Sequence, residues 1–394
     1  MEATPQHARS PVSASCAATK ISAIKEMSIL SARVSGAALL AWGLPSFPTP
    51  KPVRDAVEKA LKEDPKIGMY TLPAGLPEFC EAVARDHLRR TGIAVDPERQ
   101  VAATAGNMEG INTLLQVLLD PGDEVILTDP GFVSHIQQIR FHGGVPVFWP
   151  MNEARGWELD TASLADLMGP RTKAILFVNP SNPTGRVLSE QTLRRVVAIA
   201  RDRSVLLILD DPYSAFVHDD PESFFNLASL GEASGFLAYL FTFSKVHAMS
   251  GWRVGYAVVP EELRDEMVKI HDMNMICTPR VSQIAATAAL ESDHAHLVEF
   301  RSRLRERRDL ICDRLDRLAH VFSYARPQGA YYVFPRVLVP AASDFDFAHD
   351  LLRTARVTVT PGSAFGPSGE GHVRMAYCVG EDVINLAFDR MERQ

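Results

Sequence analysis

A candidate nucleophile and a candidate anion-binding group, Lys245 and Arg253, stand eight residues apart in the segment from Phe241 to Tyr256. A chain with 41 Lys plus Arg carries many solvated surface charges, and an arbitrary lysine is one of them. The setting of Lys245 is different. The strand-like run Phe236–Phe243 leads straight into Ser244 and Lys245, so the amine emerges at a buried strand end. Burial penalises the charged amine, and a neutral lysine can form a Schiff base with an aldehyde. Arg253 offers a planar fork that suits phosphate. Together they point to a phosphorylated aldehyde cofactor of the pyridoxal type.

These side chains need a scaffold, and the sequence spells one out. Short apolar runs at Val101–Thr104, Glu124–Thr128, Val145–Phe148, Ala174–Val178 and Val205–Leu209, with others near 239 and 256, read as strands. Between them lie amphipathic stretches, such as the stripe Ile111, Leu114, Leu115 and Leu118, and another over residues 189–203. Helical spacing also marks 52–61 and 76–90. Alternating apolar strands and helices predict a mostly parallel α/β sheet covered on both faces. In such sheets the residues just past the strand carboxyl ends line the ligand crevice. Gly106, Phe132, Asn182, Asp210, Tyr213 and Lys245 all fall there. The turn Gly106-Asn107-Met108 additionally opens a helix, whose free amides can hold an anion.

Composition excludes other classes. Over 394 residues the chain is 46% hydrophobic and 23% charged, with net charge −7. That balance argues against a nucleic-acid partner, and no apolar run reaches membrane-spanning length. Five scattered cysteines, with no Cys-x-x-Cys pair, fit a reducing, cytoplasmic setting and offer no metal site.

With these residues in hand, the chain resembles the class I aminotransferases of the aspartate aminotransferase superfamily, which are fold type I pyridoxal-phosphate enzymes. The likeness runs from Gly43 to Arg374. It rests on Asn182-Pro183-Thr184-Gly185 together with Ser244-Lys245 and Gly251-Trp252-Arg253-Val254-Gly255-Tyr256. The resemblance implies pyridoxal 5′-phosphate as cofactor, with Lys245 as its covalent partner and proton carrier, and Asp210 facing the pyridine nitrogen. Asp210 is preferred to Asp211 because it directly follows the strand and lies three residues before Tyr213. Tyr213 and Asn182 match the pair that bonds the cofactor's phenolate oxygen. Phe132 matches the aromatic stacked on the ring. Arg253, Ser244, Thr242 and the turn Gly106-Asn107-Met108 match the phosphate cup. Tyr70 matches a tyrosine that crosses from the second subunit of a homodimer. For substrate, Arg374 resembles the clamp of the α-carboxylate, aided by Gly43 and Asn182.

The implied reaction is amino-group transfer between an L-amino acid and a 2-oxo acid by a ping-pong mechanism. The alternative on the same fold is a lyase or synthase acting by β-elimination or cyclisation. An effector-binding domain of a transcription regulator would need a DNA-binding unit ahead of Trp42, and a silent homologue is expected to lose Lys245 or Asp210. One departure bears on substrate. Met108 stands where a bacterial subgroup uses lysine to read a distal carboxylate, which speaks against dicarboxylate specificity.

The expected division is a disordered extension over 1–20, a large cofactor-binding domain over 48–280, and a small α/β domain from 21–47 and 281–394. A long helical stretch Val281–Leu318 leads into the small domain, whose sheet is expected near Ala330–Phe334 and Val357–Thr360.

Overall fold

A computed structural model describes residues 11–394. Its centre is an eight-stranded sheet. In chain order the strands are β1 (Val101–Thr104), β2 (Glu124–Asp129), β3 (Val145–Asn152), β4 (Glu158–Leu159), β5 (Thr172–Val178), β6 (Leu206–Asp211), β7 (Leu237–Thr242) and β8 (Gly255–Val258). Their spatial order is β1-β8-β7-β6-β5-β2-β3-β4. The inner five, from β7 to β3, run parallel, while β8 and β4 pair antiparallel with their neighbours.

Strand alternation divides the apolar residues between two cores, because successive side chains point to opposite faces. Val125, Leu127, Ala174, Leu176, Ile208 and Leu240 face one side, against helix Asn107–Leu118 and helix Val133–Phe141. Ile126, Ile175, Leu207, Leu209, Tyr239 and Phe241 face the other. Each fully buried Leu or Ile contributes about 1.5–3 kcal/mol, so the sheet is the largest apolar store in the molecule. This parity also decides which way the two carboxylates at the end of β6 point.

A separate apolar cluster joins the N-terminal segment to the last third of the chain, with Met27, Leu40, Leu304, Ile311, Tyr331, Tyr332, Val357, Met375 and Phe388 among its members. Its strand Val373–Ala376 lies antiparallel between Tyr332–Val333 and Thr360–Pro361, while Ala38–Leu39 pairs parallel with Val357–Thr358.

Two expectations are corrected here. The stretch Val281–Leu318 is two helices, Arg280–Glu291 and His296–Arg317, parted by Ser292 to Ala295. The first belongs with the larger core: Ala285, Ala286, Ala289 and Leu290 pack with Val53, Val57, Phe79 and Val83. Leu297 of the second helix still packs with that core, and from Phe300 onward the helix contributes to the other cluster. The extension expected to lack order over 1–20 falls partly outside the described residues, at 1–10. Over 11–20 it carries a short helix, Ala14–Ala18, capped by the Ser13 side chain.

Candidate active site

Chain turns at the carboxyl ends of β1, β6 and β7 converge on a cavity of about 590 Å³. Lys245, Asp210, Tyr213, Asn182, Phe132, Asn107, Met108, Thr242, Ser244, Arg253, Gly43 and Arg374 all line it. Gly106 precedes Asn107 and approaches Arg253. Of the other residues singled out from sequence, Tyr70 alone is not gathered there: within one chain it is 76% exposed.

Lys245 sits in the one-turn helix Phe243–Val246, which β7 enters through Thr242. Thr242 Oγ1 caps the helix by accepting from the Ser244 amide, so the hydroxylic residues fix the turn that carries the lysine. The Lys245 Nζ donates to the Gly43 carbonyl at 2.7 Å. Burial brings its pKa down to about 8, with Arg374 and Arg253 adding repulsion and Asp210 opposing it. The amine is thus far closer to neutrality than a surface lysine.

Asp210 and Asp211, adjacent on β6, meet different fates. Asp210 shares its face with Ile208, toward the two helices on that side. Asn107 Nδ2 donates to its Oδ1 at 2.5 Å, and His135 Nε2 lies 3.1 Å from its Oδ2. Asp211 points to the opposite face and is fully consumed there. Arg90 Nη2 and the Tyr239 hydroxyl donate to its Oδ2 at 3.0 and 2.6 Å, and the Ser214 amide to its Oδ1 at 2.9 Å. Only Asp210 is open to the cavity.

The phosphate-type corner is built on backbone. Gly106 has φ +82°, and a Cβ there would sit 3.0 Å from Arg253 Nη2, so glycine lets the arginine close on the turn. Arg253 Nη2 donates to the Ala105 carbonyl at 3.0 Å and Nη1 to the Ser250 carbonyl at 2.9 Å, which aims an exposed guanidinium beside the first turn of helix Asn107–Leu118. The Asn107 and Met108 amides at the start of that turn have no intrahelical acceptor.

At the far side Arg374 is almost wholly buried. Its Nη1 donates to Asn182 Oδ1 at 3.1 Å and its Nη2 to the Ala41 carbonyl at 2.5 Å. The guanidinium lies over the Tyr332 ring at 4.4 Å. Its Nε is buried and unpartnered. Tyr213 donates to or accepts from the Tyr332 hydroxyl at 2.9 Å, and burial together with that neighbour raises its pKa well above the usual phenol value. Gly43 is needed as glycine, since a Cβ would collide with the Tyr332 hydroxyl. Its carbonyl accepts from Lys245 and from the Tyr331 hydroxyl.

His135, Tyr332, Trp42 and Lys25 are the site residues that sequence reasoning missed. His135 lies three residues after Phe132, on the helix that follows β2, and that spacing was the available signal. Tyr332 follows a second tyrosine in a short apolar run that gave no hint of a cavity.

Comparison with known proteins agrees with this geometry. A family model described as aminotransferase class I and II matches residues 37–390. The chain belongs to that family. An aspartate aminotransferase of Pyrococcus horikoshii is 33% identical over 95% of this chain and 94% of its own length. An aromatic-amino-acid aminotransferase of Thermococcus litoralis is 32% identical over 94% and 95%. Among solved structures, Thermus thermophilus aspartate aminotransferase with maleate superposes with a TM-score of 0.91 at 31% identity, covering 97% of this chain and 99% of that one. An alanine aminotransferase from Pyrococcus furiosus gives 0.91 at 29%, covering 97% and 98%. The fold is therefore fold type I, and this family member is an enzyme that transfers amino groups. The lyase or synthase alternative is the less favoured reading.

Proposed function

We propose that this aminotransferase uses pyridoxal 5′-phosphate held by Lys245, and moves an amino group between an L-amino acid and a 2-oxo acid in two half-reactions. The observation that carries the proposal is Lys245, whose amine is shifted toward neutrality in the cavity that Asp210 and Arg374 also line. The residues suit the group. Asn107 Oδ1 and Arg374 Nε are buried and unpartnered, and the Gly106 turn leaves a cradle beside Arg253 with no side chain in it. When bound, the cofactor supplies an aldehyde and a ring that accepts electrons from the substrate α-carbon.

This chain's residues do the rest. Asp210, both oxygens fixed by Asn107 and His135, holds a proton at the ring nitrogen. Arg253, Ser244, Thr242 and the Gly106–Met108 amides bind the phosphate, and Phe132 stacks on the ring. Tyr213 and Asn182 hydrogen-bond the ring's oxygen, which keeps that oxygen anionic. Arg374 clamps the substrate α-carboxylate with two parallel N–H donors, assisted by Asn182 and Gly43, and so fixes the α-carbon. Lys245 Nζ takes the proton from that carbon.

The same reading makes the active molecule a homodimer, each protomer lending its Tyr70 to the other's phosphate. What supports this is the exposure of Tyr70 beside Met69 and Leu72, which are also mostly exposed in the single chain. It also makes the enzyme cytoplasmic. All five cysteines are free, and among the described residues no helix is long and apolar enough to cross a membrane. The test is direct. Borohydride reduction of the protein loaded with pyridoxal phosphate should fix the cofactor on the peptide containing Lys245; labelling of another lysine would end the proposal.

A further inference from the structure

On the reading above, the charged groups that line the cavity have counterparts, with one exception. Asp210 faces the ring nitrogen, Arg253 the phosphate, Arg374 the α-carboxylate and Lys245 the aldehyde. Lys25 is left over. It comes from helix Ala23–Ser31, and its Nζ stands 4.4 Å from the centre of the Trp42 ring. Among the described residues its amine meets a π-face and no carboxylate.

Three consecutive residues tie this cation to the reacting centre. Ala41 accepts Arg374 Nη2 through its carbonyl at 2.5 Å, and Gly43 accepts Lys245 Nζ at 2.7 Å. Trp42 lies between them and carries Lys25 on its ring. Trp42 and Lys25 line the same cavity as Arg374 and Lys245, so the side chain of a substrate held by those two groups meets them among its walls. Besides the hydroxyls of Ser22 and Ser134, the lining includes the apolar Ile24, Leu44, Met108 and Phe132. Lys25 is the one charge available to the end of that side chain, and its four-carbon stem can follow it.

We propose that Lys25, held on Trp42, reads the distal carboxylate of a dicarboxylic substrate, such as a five-carbon 2-oxo diacid or its amino acid. The inference rests on the aminotransferase reading of the same cavity. It answers the objection raised by Met108, since the missing charge arrives from a different element of the chain. Lys25 is a specificity residue in this account and takes no part in proton transfer.

The experiment compares acceptors in the holoenzyme. With one amino donor held constant, kcat/KM for 2-oxoglutarate is divided by kcat/KM for pyruvate, in the wild type and in Lys25→Met. An exposed cation is partly screened, so removing it should lower that ratio about tenfold, chiefly through the KM of the diacid. Lys25→Arg, which keeps both charge and ring stacking, should hold the ratio near the wild-type value. A ratio unchanged in Lys25→Met, or an equal loss for both acceptors, overturns the proposal. Calorimetric binding of succinate against butyrate gives a second readout that needs no turnover. Succinate should lose its advantage in Lys25→Met, and retention of that advantage also overturns the proposal. Absence of amino transfer from every donor, with this binding difference intact, would sink the aminotransferase reading and leave the anion site standing.

Discussion

The cavity has two unlike halves. Around Asp210 and Lys245 the side chains are buried, and each is held by a neighbour: Asp210 by Asn107 and His135, Lys245 by Gly43, Arg374 by Asn182 and Ala41. Around Trp42, Leu44, Met108 and Lys25 the side chains are partly exposed, and Lys25 makes its contact as a cation over a ring. The first half is preorganised, as charge stabilisation demands, because donors already in place cost nothing to arrange during reaction. The second half is loosely held, and in an enzyme that must admit two different substrates in turn such a wall can adapt. Chemistry is fixed in one half, and choice is left to the other.

Substitutions that separate the halves should grade accordingly. Lys245→Ala removes the proposed proton carrier and should lower kcat on the order of ten-thousandfold for every substrate pair, a uniform loss measurable in single-turnover assays. Asp210→Ala should cost about a hundredfold to a thousandfold in kcat, again regardless of substrate. His135→Gln, which disturbs only the positioning of Asp210, should fall well short of that. Arg374→Met should act on KM for amino and oxo acids alike by about 10–100-fold, from the loss of charge-assisted hydrogen bonds.

Stability gives a different contrast. Arg90→Met leaves Asp211 buried without its cation and should cost about 3 kcal/mol of unfolding free energy in chemical denaturation. Folded Arg90→Met enzyme should keep most of its kcat, because Arg90 touches Asp211 and not Asp210. A large loss of kcat with intact stability would erase the distinction between the two carboxylates.

A last contrast is in pH. Lys245 is brought from its ordinary 10.5 down to about 8 by burial. Between those values this amine holds its proton in the unfolded chain and not in the folded cofactor-free protein, so the contribution of Lys245 to stability rises with pH across that window. Below about pH 8 both states hold the proton and the slope vanishes. The melting temperature of the wild type relative to Lys245→Met should climb across that window and stay level below it.

How much of this was legible in the sequence follows the same division. The strands at 101–104, 174–178 and 237–242 were readable because runs buried on both faces leave no polar interruptions. The residues at their carboxyl ends followed from the sheet's geometry. The contacts of His135 and Asn107 with Asp210 span 75 and 103 residues, and no local pattern encodes such a meeting. Lys25 was invisible for the same reason: a lysine on a short amphipathic helix looks like a solvated charge until Trp42 is placed beside it. The false continuity of Val281–Leu318 has a local cause. Helical periodicity resumes in phase after the break, and only Ser292-Asp293-His294, poor helix formers together, marks the gap.

The doublet at the end of β6 makes register a condition of both activity and survival. Inserting or deleting one residue between Arg203 and Leu206, if it slid the strand by one place, would turn every side chain to the opposite face. The carboxylate proposed to face the ring nitrogen would then confront Arg90 and Tyr239, and its neighbour would enter the cavity in its stead. The swap would preserve composition and even hydrogen-bonding capacity. Yet the apolar residues before it would exchange cores at the same moment, so the chain cannot reach that arrangement by small steps. Tolerance to length change in the loop before β6 should accordingly be among the lowest in the molecule.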